Sequence, residues 1–134
     1  MIKHKIIQLA AKPYGVHLIT QEILDQLELR GSGLLHLFIQ HTSAALAINE
    51  NASDDVLYDI KQFFNKIVPE AAHYRHNEEG PDDMPAHIKS LLCATSLTIP
   101  FEREKLLLGT WQGIYLLEFR NNARPRSVVV SQST

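Results

Sequence analysis

The sequence predicts one α+β domain in which helices partly cover a mostly antiparallel sheet. A chain of 134 residues fits a single domain, and no linker, repeat or low-complexity tract divides it. Short apolar runs with strand character recur along the chain, whereas only two or three segments carry helical periodicity. Because strands and helices do not alternate strictly, a parallel sheet is not expected.

The first third of the chain predicts strands around one helix. Residues 4 to 10 alternate loosely between apolar and polar positions, as in a strand. Thr20 is suited to cap a helix that runs to about Leu29 and ends at the glycine beyond it. The apolar run 34 to 40 lies between turn residues and predicts a buried strand, which residues 45 to 49 extend.

The clearest helical pattern follows Asn51, a suitable N-cap with Asp54 three positions later. Apolar residues then recur at helical spacing until Pro69 stops the helix, at Val56, Leu57, Ile60, Phe64 and Ile67. A second, shorter helix is predicted to begin near Pro85. Its inward-facing residues are predicted to be Ile88, Leu91 and Leu92. Further strands are predicted at residues 96 to 100, 106 to 109, 113 to 119 and 127 to 131.

Composition and charge exclude several classes of function. A formal net charge of −2 and an isoelectric point near 6.4 give no electrostatic basis for binding nucleic acid or an anionic membrane. No apolar stretch approaches the roughly 20 residues of a membrane-spanning helix, and the N-terminal residues do not form a secretory signal. Cys93 is the single cysteine and cannot form an internal disulfide, which favours a reducing compartment. Because it lies in an apolar run, Cys93 is expected to be a small core residue and not a nucleophile. We therefore expect a cytoplasmic protein without nucleic-acid or membrane partners.

His41 is the first candidate for chemistry. It ends a predicted buried strand, and the hydroxyl residues Thr42 and Ser43 follow it and can donate to an anion. His36 lies inside the same apolar strand, where a packed core histidine with one hydrogen-bonded nitrogen is the favoured interpretation.

The stretch HNEEGPDDMPAHIK, residues 76 to 89, gathers two histidines and four carboxylates in one loop. One interpretation is structural: Asp83 caps the following helix, while His76 and His87 lie on the surface. The other is that His41, His76 and His87 converge as three imidazole ligands of a divalent metal and leave one position open. Nearby carboxylates, Asp82 among them, would then orient the imidazoles or act as a general base. The pair His73 and His76 is a competing, weaker ligand set.

Glu50, just before the long predicted helix, is the best-placed carboxylate outside this loop. It is either catalytic or solvated beside a cap.

LGTWQG, residues 108 to 113, places Trp111 at a turn or bulge. Trp111 either packs on the core there or forms a flat wall for a planar ligand with Gln112 as polar anchor. No dinucleotide, P-loop or α/β-hydrolase motif is present.

Charged residues mark the end of the strand GIYLLEFR, where Glu118 and Arg120 leave an apolar face together. Two interpretations remain open. Glu118 and Arg120 form a partly buried ion pair, or Arg120 and Arg126 hold a phosphate group.

Four motifs in order carry a family resemblance: HTSAALAINEN (41 to 51), EGPDDMPAHIKSLL (79 to 92), TSLTIPF (95 to 101) and LGTWQGIYLLEFR (108 to 120). Together they resemble the YjbQ family over essentially the whole chain. The resemblance implies an antiparallel sheet curved into a half-barrel, and homotrimers with sites near subunit interfaces. It also implies a thiamine-phosphate synthase activity that is secondary to an unknown main role.

The resemblance assigns site residues on matching positions. It implies metal binding by His41, His76 and His87, and draws in Glu50, Asp82, Asp83, Trp111, Gln112 and Arg120. We therefore expect a cytoplasmic homotrimeric transferase that uses a divalent metal, with zinc favoured over magnesium. It would join a pyrimidine methyl diphosphate to a thiazole phosphate. The alternatives are a metal-dependent hydrolase of a small phosphorylated metabolite, and a non-catalytic trimer that binds a metal or metabolite.

Overall fold

The computed structural model describes residues 1–70 and 73–134. Within these ranges the chain forms eight strands and three helices. In chain order they are β1 (Ile2–Leu9), β2 (Gly15–Leu18), α1 (Thr20–Leu24), β3 (Gly33–Ile39), β4 (Ala44–Glu50), α2 (Asp54–Ile67), α3 (Asp83–Leu92), β5 (Ser96–Glu102), β6 (Lys105–Leu106), β7 (Gln112–Glu118) and β8 (Arg126–Ser133).

The described strands form two antiparallel sheets. One has five strands in the order β1-β8-β3-β5-β6, and the other has three in the order β2-β7-β4. The predicted α+β class and antiparallel pairing are therefore confirmed. The chain passes from β3 in the larger sheet to β4 in the smaller one through residues 40–43.

The hydrophobic core lies in two layers. Alternate residues of the five-stranded sheet, such as Leu35, Leu37 and Val130, pack against one face of the three-stranded sheet. The opposite face of the smaller sheet, with Tyr115 and Leu117, packs against α2 and α3. The smaller sheet is thus sandwiched between the larger sheet and the helices.

The outer face of the five-stranded sheet carries exposed apolar side chains. Ile2, Ile6, Leu34 and Phe38 lie there with 44 to 62% of their surface accessible to solvent. His36 also lies on this outer face, half-buried, so the expectation of a core histidine was wrong. Successive side chains of a strand point to opposite faces of the sheet. His36 lies between the buried Leu35 and Leu37 on β3, so its side chain points to the outer face.

Two helix boundaries differ from the prediction. The first helix ends at Leu24 instead of Leu29. The hydroxyl of Thr20 does not cap it, because that oxygen accepts a hydrogen bond from the Ile114 amide of β7. The long helix starts at Asp54 after Ser53, while the predicted cap Asn51 donates its side-chain amide to backbone carbonyls at the start of β7. In both cases a tertiary partner replaced the local cap.

The short helix α3 also differs in the face that it buries. It occupies the predicted place, but Leu91 is 83% exposed and Leu92 is 60% exposed, so their inward assignment was wrong. Polar residues take the buried face instead, including Asp83 and Lys89. The strand β2, which the sequence did not predict, pairs with β7. Among the described residues, no helix combines the length and apolarity needed to span a membrane.

Candidate functional site

The candidate site lies at one end of the three-stranded sheet. β4 and β7 pair with Ala44 opposite Glu118, so the segment entering β4 lies beside the segment leaving β7. The helix α3 reaches the same end, where the Nδ1 atom of His87 is 3.0 Å from the Thr42 carbonyl oxygen. Motifs that are far apart in sequence therefore meet here.

Two histidines and one carboxylate converge at the start of α3. The Nε2 atoms of His76 and His87 lie 2.7 Å and 3.0 Å from the same Asp83 oxygen, Oδ2. The two ring centroids are 5.5 Å apart, and one ligand atom from each of the three residues lies within 4.8 Å of the others. Asp83 is buried, whereas both imidazoles reach solvent. The cluster therefore has an accessible side.

The two ring nitrogens of His87 both face oxygen acceptors. Nδ1 donates to the Thr42 carbonyl and fixes the ring, while Nε2 faces a carboxylate oxygen that cannot donate. Both contacts are satisfied only when Nε2 also carries a proton or binds a cation. A backbone carbonyl that fixes the far nitrogen of an imidazole is the usual support of a metal-ligating histidine.

Asp83 and Asp82 are held ionised by their surroundings. Burial alone would raise the pKa of the Asp83 carboxyl, but hydrogen bonding with His76 and the positive charge of Arg120 hold that pKa below its usual range. For Asp82 the same opposition applies. The Asn121 amide and Arg120 outweigh burial and lower the pKa. Both carboxylates therefore remain anionic at neutral pH.

Arg120 ties the two aspartates together. Its Nε donates to Asp82 at 2.9 Å, its Nη1 to Asp83 at 2.5 Å, and its Nη2 to the Glu79 carbonyl at 2.9 Å. Among the described residues these contacts use three of the five N–H groups of a guanidinium, which leaves two for a ligand. The predicted pair of Glu118 with Arg120 does not form between side chains, since Glu118 pairs with Arg126.

The donor set fits a divalent transition metal. Two imidazoles and one carboxylate form the catalytic ligand set of several zinc enzymes, with a further position open. Ligand atoms bound tetrahedrally at about 2.0–2.2 Å lie roughly 3.3–3.6 Å apart. The 2.7 Å and 3.0 Å contacts to Asp83 are close to this separation, so small side-chain movements would admit a cation.

An open cleft of about 430 Å³ adjoins this cluster, and Arg120 belongs to both. No acidic residue is among its described lining residues, which are His41, Ser43, Arg120, Asn122, Ala123, Arg124, Pro125 and Arg126. Positive charge and polar groups on one side of a cleft favour an anionic ligand. We call this feature the anion cleft.

His41 contributes a donor to the anion cleft. Its Nε2 accepts a hydrogen bond from the Ser127 amide at 2.7 Å, which places the proton of the neutral ring on Nδ1. Burial and then the charge of Arg126 lower the pKa of His41, with Glu118 opposing them. The neutral tautomer with Nδ1–H is therefore the stable form.

Arg126 forms the inner wall of the anion cleft through a buried ion pair. Its Nε and Nη2 donate to the two oxygens of Glu118 at 2.7 Å and 2.5 Å, and Nη2 also donates to the Ser43 hydroxyl oxygen at 3.0 Å. Glu118 is completely buried. Arg126 is committed to these contacts, and Arg120 and Arg124 are more available to a ligand.

The structure brings together only some of the predicted site residues. His76 and His87 meet, but Asp83 completes their cluster, while His41 lies in the anion cleft with its Nε2 engaged. Sequence reasoning gave Asp83 a capping or catalytic role. Its spacing of four residues from His87 on one helix face was the signal for a shared site.

Three predicted residues lie at the other end of the smaller sheet. Glu50 pairs with Gln112, six residues along β4 from Ala44, which is roughly 20 Å of strand. Trp111 is 65% exposed there, Glu50 accepts from the Ala52 amide, and the Gln112 side chain accepts from the Gly109 amide in a turn. Within one chain these residues do not reach the histidine cluster.

Comparison with known proteins agrees with the fold. The model of the family described as UPF0047 protein YjbQ-like matches residues 5–134. The chain is 45% identical over 130 residues to the UPF0047 protein YjbQ of Escherichia coli O157:H7, covering 95% of this chain and 94% of that protein. It is 47% identical over 130 residues to the corresponding protein of Salmonella typhimurium, with the same coverage.

Solved structures give the same result. An uncharacterized conserved protein of the YjbQ/UPF0047 family from Clostridium acetobutylicum superposes with a TM-score of 0.80 at 35% identity, covering 96% of this chain and 99% of that one. A YbjQ-like protein of unknown function from Sulfolobus solfataricus has a TM-score of 0.82 at 23% identity, covering 98% and 96%, and shares the fold. The chain therefore belongs to the YjbQ-like UPF0047 family.

Proposed function

We propose that this protein is a divalent-metal-dependent enzyme that acts on a small phosphorylated metabolite. The observation that carries the proposal is the convergence of His76, Asp83 and His87 within 4.8 Å of one another. The ring of His87 is already fixed by the Thr42 carbonyl, so little ordering would accompany metal binding. When bound, the cation would supply positive charge that stabilises developing negative charge on phosphate oxygens.

The anion cleft supports a phosphorylated substrate. Arg120 has two uncommitted N–H groups, His41 offers Nδ1–H, and Arg124 adds an exposed guanidinium at the same cleft. Since Arg120 also bonds to Asp83, a phosphate held by Arg120 would lie beside the metal cluster. Asp82 in this proposal positions Arg120, because an ionised, paired carboxylate is a poor proton acceptor.

The first reaction to assay is of the thiamine-phosphate synthase type, as the family resemblance implies. The nitrogen lone pair of a thiazole phosphate forms a bond to the methylene carbon of a pyrimidine methyl diphosphate. The electron pair of the broken C–O bond leaves with pyrophosphate. This transfer needs no proton acceptor, and the donors of the anion cleft would stabilise the departing diphosphate.

The ligand set favours zinc and suggests a second candidate reaction. Magnesium prefers oxygen ligands, whereas two imidazoles and a carboxylate suit zinc. This set serves metal-dependent hydrolysis well. Hydrolysis of a small phosphate ester is therefore the alternative, and the synthase activity would then be secondary.

The metal content of the purified protein tests whether His76, Asp83 and His87 bind a cation. Purified wild type supplied with zinc should retain stoichiometric metal by elemental analysis, while His87→Ala and Asp83→Asn should bind zinc about 10- to 100-fold more weakly or worse. His41→Ala is the matched control and should keep its metal, because His41 lies outside the cluster. Circular dichroism would establish that each variant is folded. Equal zinc affinity of wild type and His87→Ala would refute the metal site.

Turnover separates enzyme from binding protein. Pyrophosphate release from the pyrimidine and thiazole substrates, and phosphate release from simple phosphate esters, would be measured with zinc-loaded protein. Asp83→Asn should lower kcat, while His41→Ala should chiefly raise KM. Bound metal without turnover of any phosphorylated compound would favour the non-catalytic metal- or metabolite-binding alternative.

The proposal includes a homotrimer in the cytoplasm. The exposed apolar face defined by Ile2, Ile6, Leu34 and Phe38 is a candidate for the subunit contact, since such patches commonly mark interfaces. Glu50 and His87 lie at opposite ends of the smaller sheet within one subunit. In a trimer, Glu50 could instead approach the histidine cluster of a neighbouring subunit. The single cysteine supports a reducing compartment.

A further inference from the structure

Lys89 is a buried charged residue that the proposed function does not use. It lies on α3 with only 1% of its surface exposed. Its Nζ donates to the Tyr14 hydroxyl at 2.8 Å, and that hydroxyl donates to Asn65 Oδ1 at 2.6 Å. Burial lowers the pKa of Lys89, with Glu70 and Asp82 opposing it. A neutral hydroxyl is thus the direct partner of a desolvated ammonium.

In the part of the chain that the structure describes, some hydrogen-bond donors around Lys89 have no acceptor. An ammonium group has three N–H donors, and among the described residues only the Tyr14 oxygen accepts one of them. The side-chain amide nitrogen of Asn65 likewise has no acceptor in the described ranges, because Asn65 uses its oxygen to accept from Tyr14. Lys89 is buried, and a buried donor without a partner is costly, so a ligand that accepts from its ammonium would relieve that cost. Asn65 lies at an exposed position, where its amide can donate to the same ligand.

A cleft of about 430 Å³ opens at these donors, within the size range of small-molecule sites. Among its lining residues, hydrogen bonds link Lys89 to Tyr14 and Tyr14 to Asn65, and a separate hydrogen bond links Asn121 to Glu70. We call it the Lys89 cleft.

Opposite charges face this cleft without touching. No ion pair within 4.0 Å joins Lys89 to Glu70 in the described chain, although Glu70 acts electrostatically on Lys89. Asn121 donates to one Glu70 oxygen at 3.3 Å, which leaves the other Glu70 oxygen and the Asn121 side-chain oxygen as acceptors. The Lys89 cleft therefore presents both a positively charged donor and a negatively charged acceptor to a ligand.

We propose that the Lys89 cleft binds a small zwitterion of the α-amino acid class. The ligand carboxylate accepts hydrogen bonds from Lys89 and Asn65, and its ammonium donates to Glu70 and Asn121. A simple anion would be repelled by the Glu70 carboxylate, and a simple cation would be repelled by the Lys89 ammonium. This site is distinct from the metal cluster and does not depend on the proposed function.

Matched probes test the proposal on the metal-free, full-length protein. L-Alanine carries both charged groups, propionate lacks the ammonium, and ethylamine lacks the carboxylate. In ¹H–¹⁵N correlation spectra, L-alanine should shift the backbone amides around Asn65, Lys89 and Asn121 with saturation in the millimolar range or below. Propionate and ethylamine should bind at least about tenfold more weakly. Propionate binding as tightly as alanine, or no shift at these amides, would overturn the zwitterion site.

Two variants identify the residues. Lys89→Met keeps the length of the side chain and removes the charge, and Glu70→Gln keeps an acceptor for Asn121 at a solvent-exposed position. Each should weaken alanine binding by at least about tenfold. Lys66→Met, on the exposed side of α2, is the matched control and should bind like wild type. Unchanged binding in both cleft variants would also overturn the proposal, and Glu70→Gln provides this test even if Lys89→Met does not fold.

Discussion

Replacement of Glu118 by glutamine tests the buried ion pair behind the anion cleft. Glu118 is completely buried and accepts two hydrogen bonds from Arg126, which is itself 7% exposed. Glutamine keeps the shape but removes the charge, so the Arg126 guanidinium would remain buried without a counter-charge. Removing one partner of a buried pair costs about 3–5 kcal/mol, mainly through the uncompensated charge.

The expected change in melting temperature follows from chain length. Unfolding entropy of about 2.1 cal/mol/K per residue over 134 residues gives roughly 0.28 kcal/mol/K. Each kcal/mol then corresponds to about 3.6 °C, so Glu118→Gln should lower Tm by roughly 11–18 °C. Calorimetry or thermal circular dichroism, with urea unfolding for the free energy, would measure this change.

Two controls isolate the cause. Glu28→Gln removes the same charge from an exposed pair with Arg30 and should change stability by less than about 1 kcal/mol. The double variant Glu118→Leu with Arg126→Met replaces the buried pair by apolar side chains and should recover much of the loss. A Glu118→Gln cost no larger than that of Glu28→Gln would refute the reasoning. A double variant less stable than Glu118→Gln would show that packing, not charge, dominates.

Three further predictions concern the assembly, a titration and a close contact. If the proposed trimer forms through this face, Phe38→Asp should reduce the native mass in light scattering to that of a monomer, and an unchanged mass would exclude the face as the contact. Burial and then Glu70 raise the pKa of Tyr14 from 10.0 to about 12. The stability given by its neutral phenol is thus complete below pH 10 and lost as pH rises through 12. Tyr14→Phe should remove a late-titrating phenol from the alkaline absorbance titration; loss of an early one would contradict this. Gly33→Ala would place a Cβ 2.0 Å from the Ser133 carbonyl oxygen and should cost about 1–3 kcal/mol in urea unfolding, whereas wild-type stability would contradict the close β3–β8 contact.

Periodicity predicted most of the fold because it reports which face of an element is buried. The long helix α2 and the strands β1, β3, β7 and β8 lie where the apolar pattern placed them. The predicted helix boundaries were wrong where a tertiary hydrogen-bond partner took the side chain that was expected to cap the helix. The Thr20 hydroxyl serves β7 and the Asn51 amide serves the turn before β7, neither of which single-sequence reasoning can anticipate.

The prediction of which α3 residues are buried was wrong for a related reason. Its leucines were assigned inward by their hydrophobicity, yet Leu91 and Leu92 are exposed while Asp83 and Lys89 are buried. A buried carboxylate or ammonium is stable only with partners from other elements, here Arg120 after β7 and Tyr14 before β2. Residue type alone therefore gives the wrong face wherever a site supplies such partners.

Spacing on a helix explains which predicted residues form the cluster, and the length of β4 explains which do not. The sequence grouped histidines by residue type, but Asp83 and His87 are four residues apart on one helix, which fixes them on the same face without any folding of the loop. His76 then needs only to approach a pair that is already formed, whereas His41 would have to give up its bond to the Ser127 amide. At the far end of β4, Glu50 is separated from this cluster by about 20 Å of paired strand, a distance that side-chain movement cannot close. Within residues 1–70 and 73–134, a single chain therefore offers one compact ligand set, and any role for Glu50 in the same reaction requires a second chain.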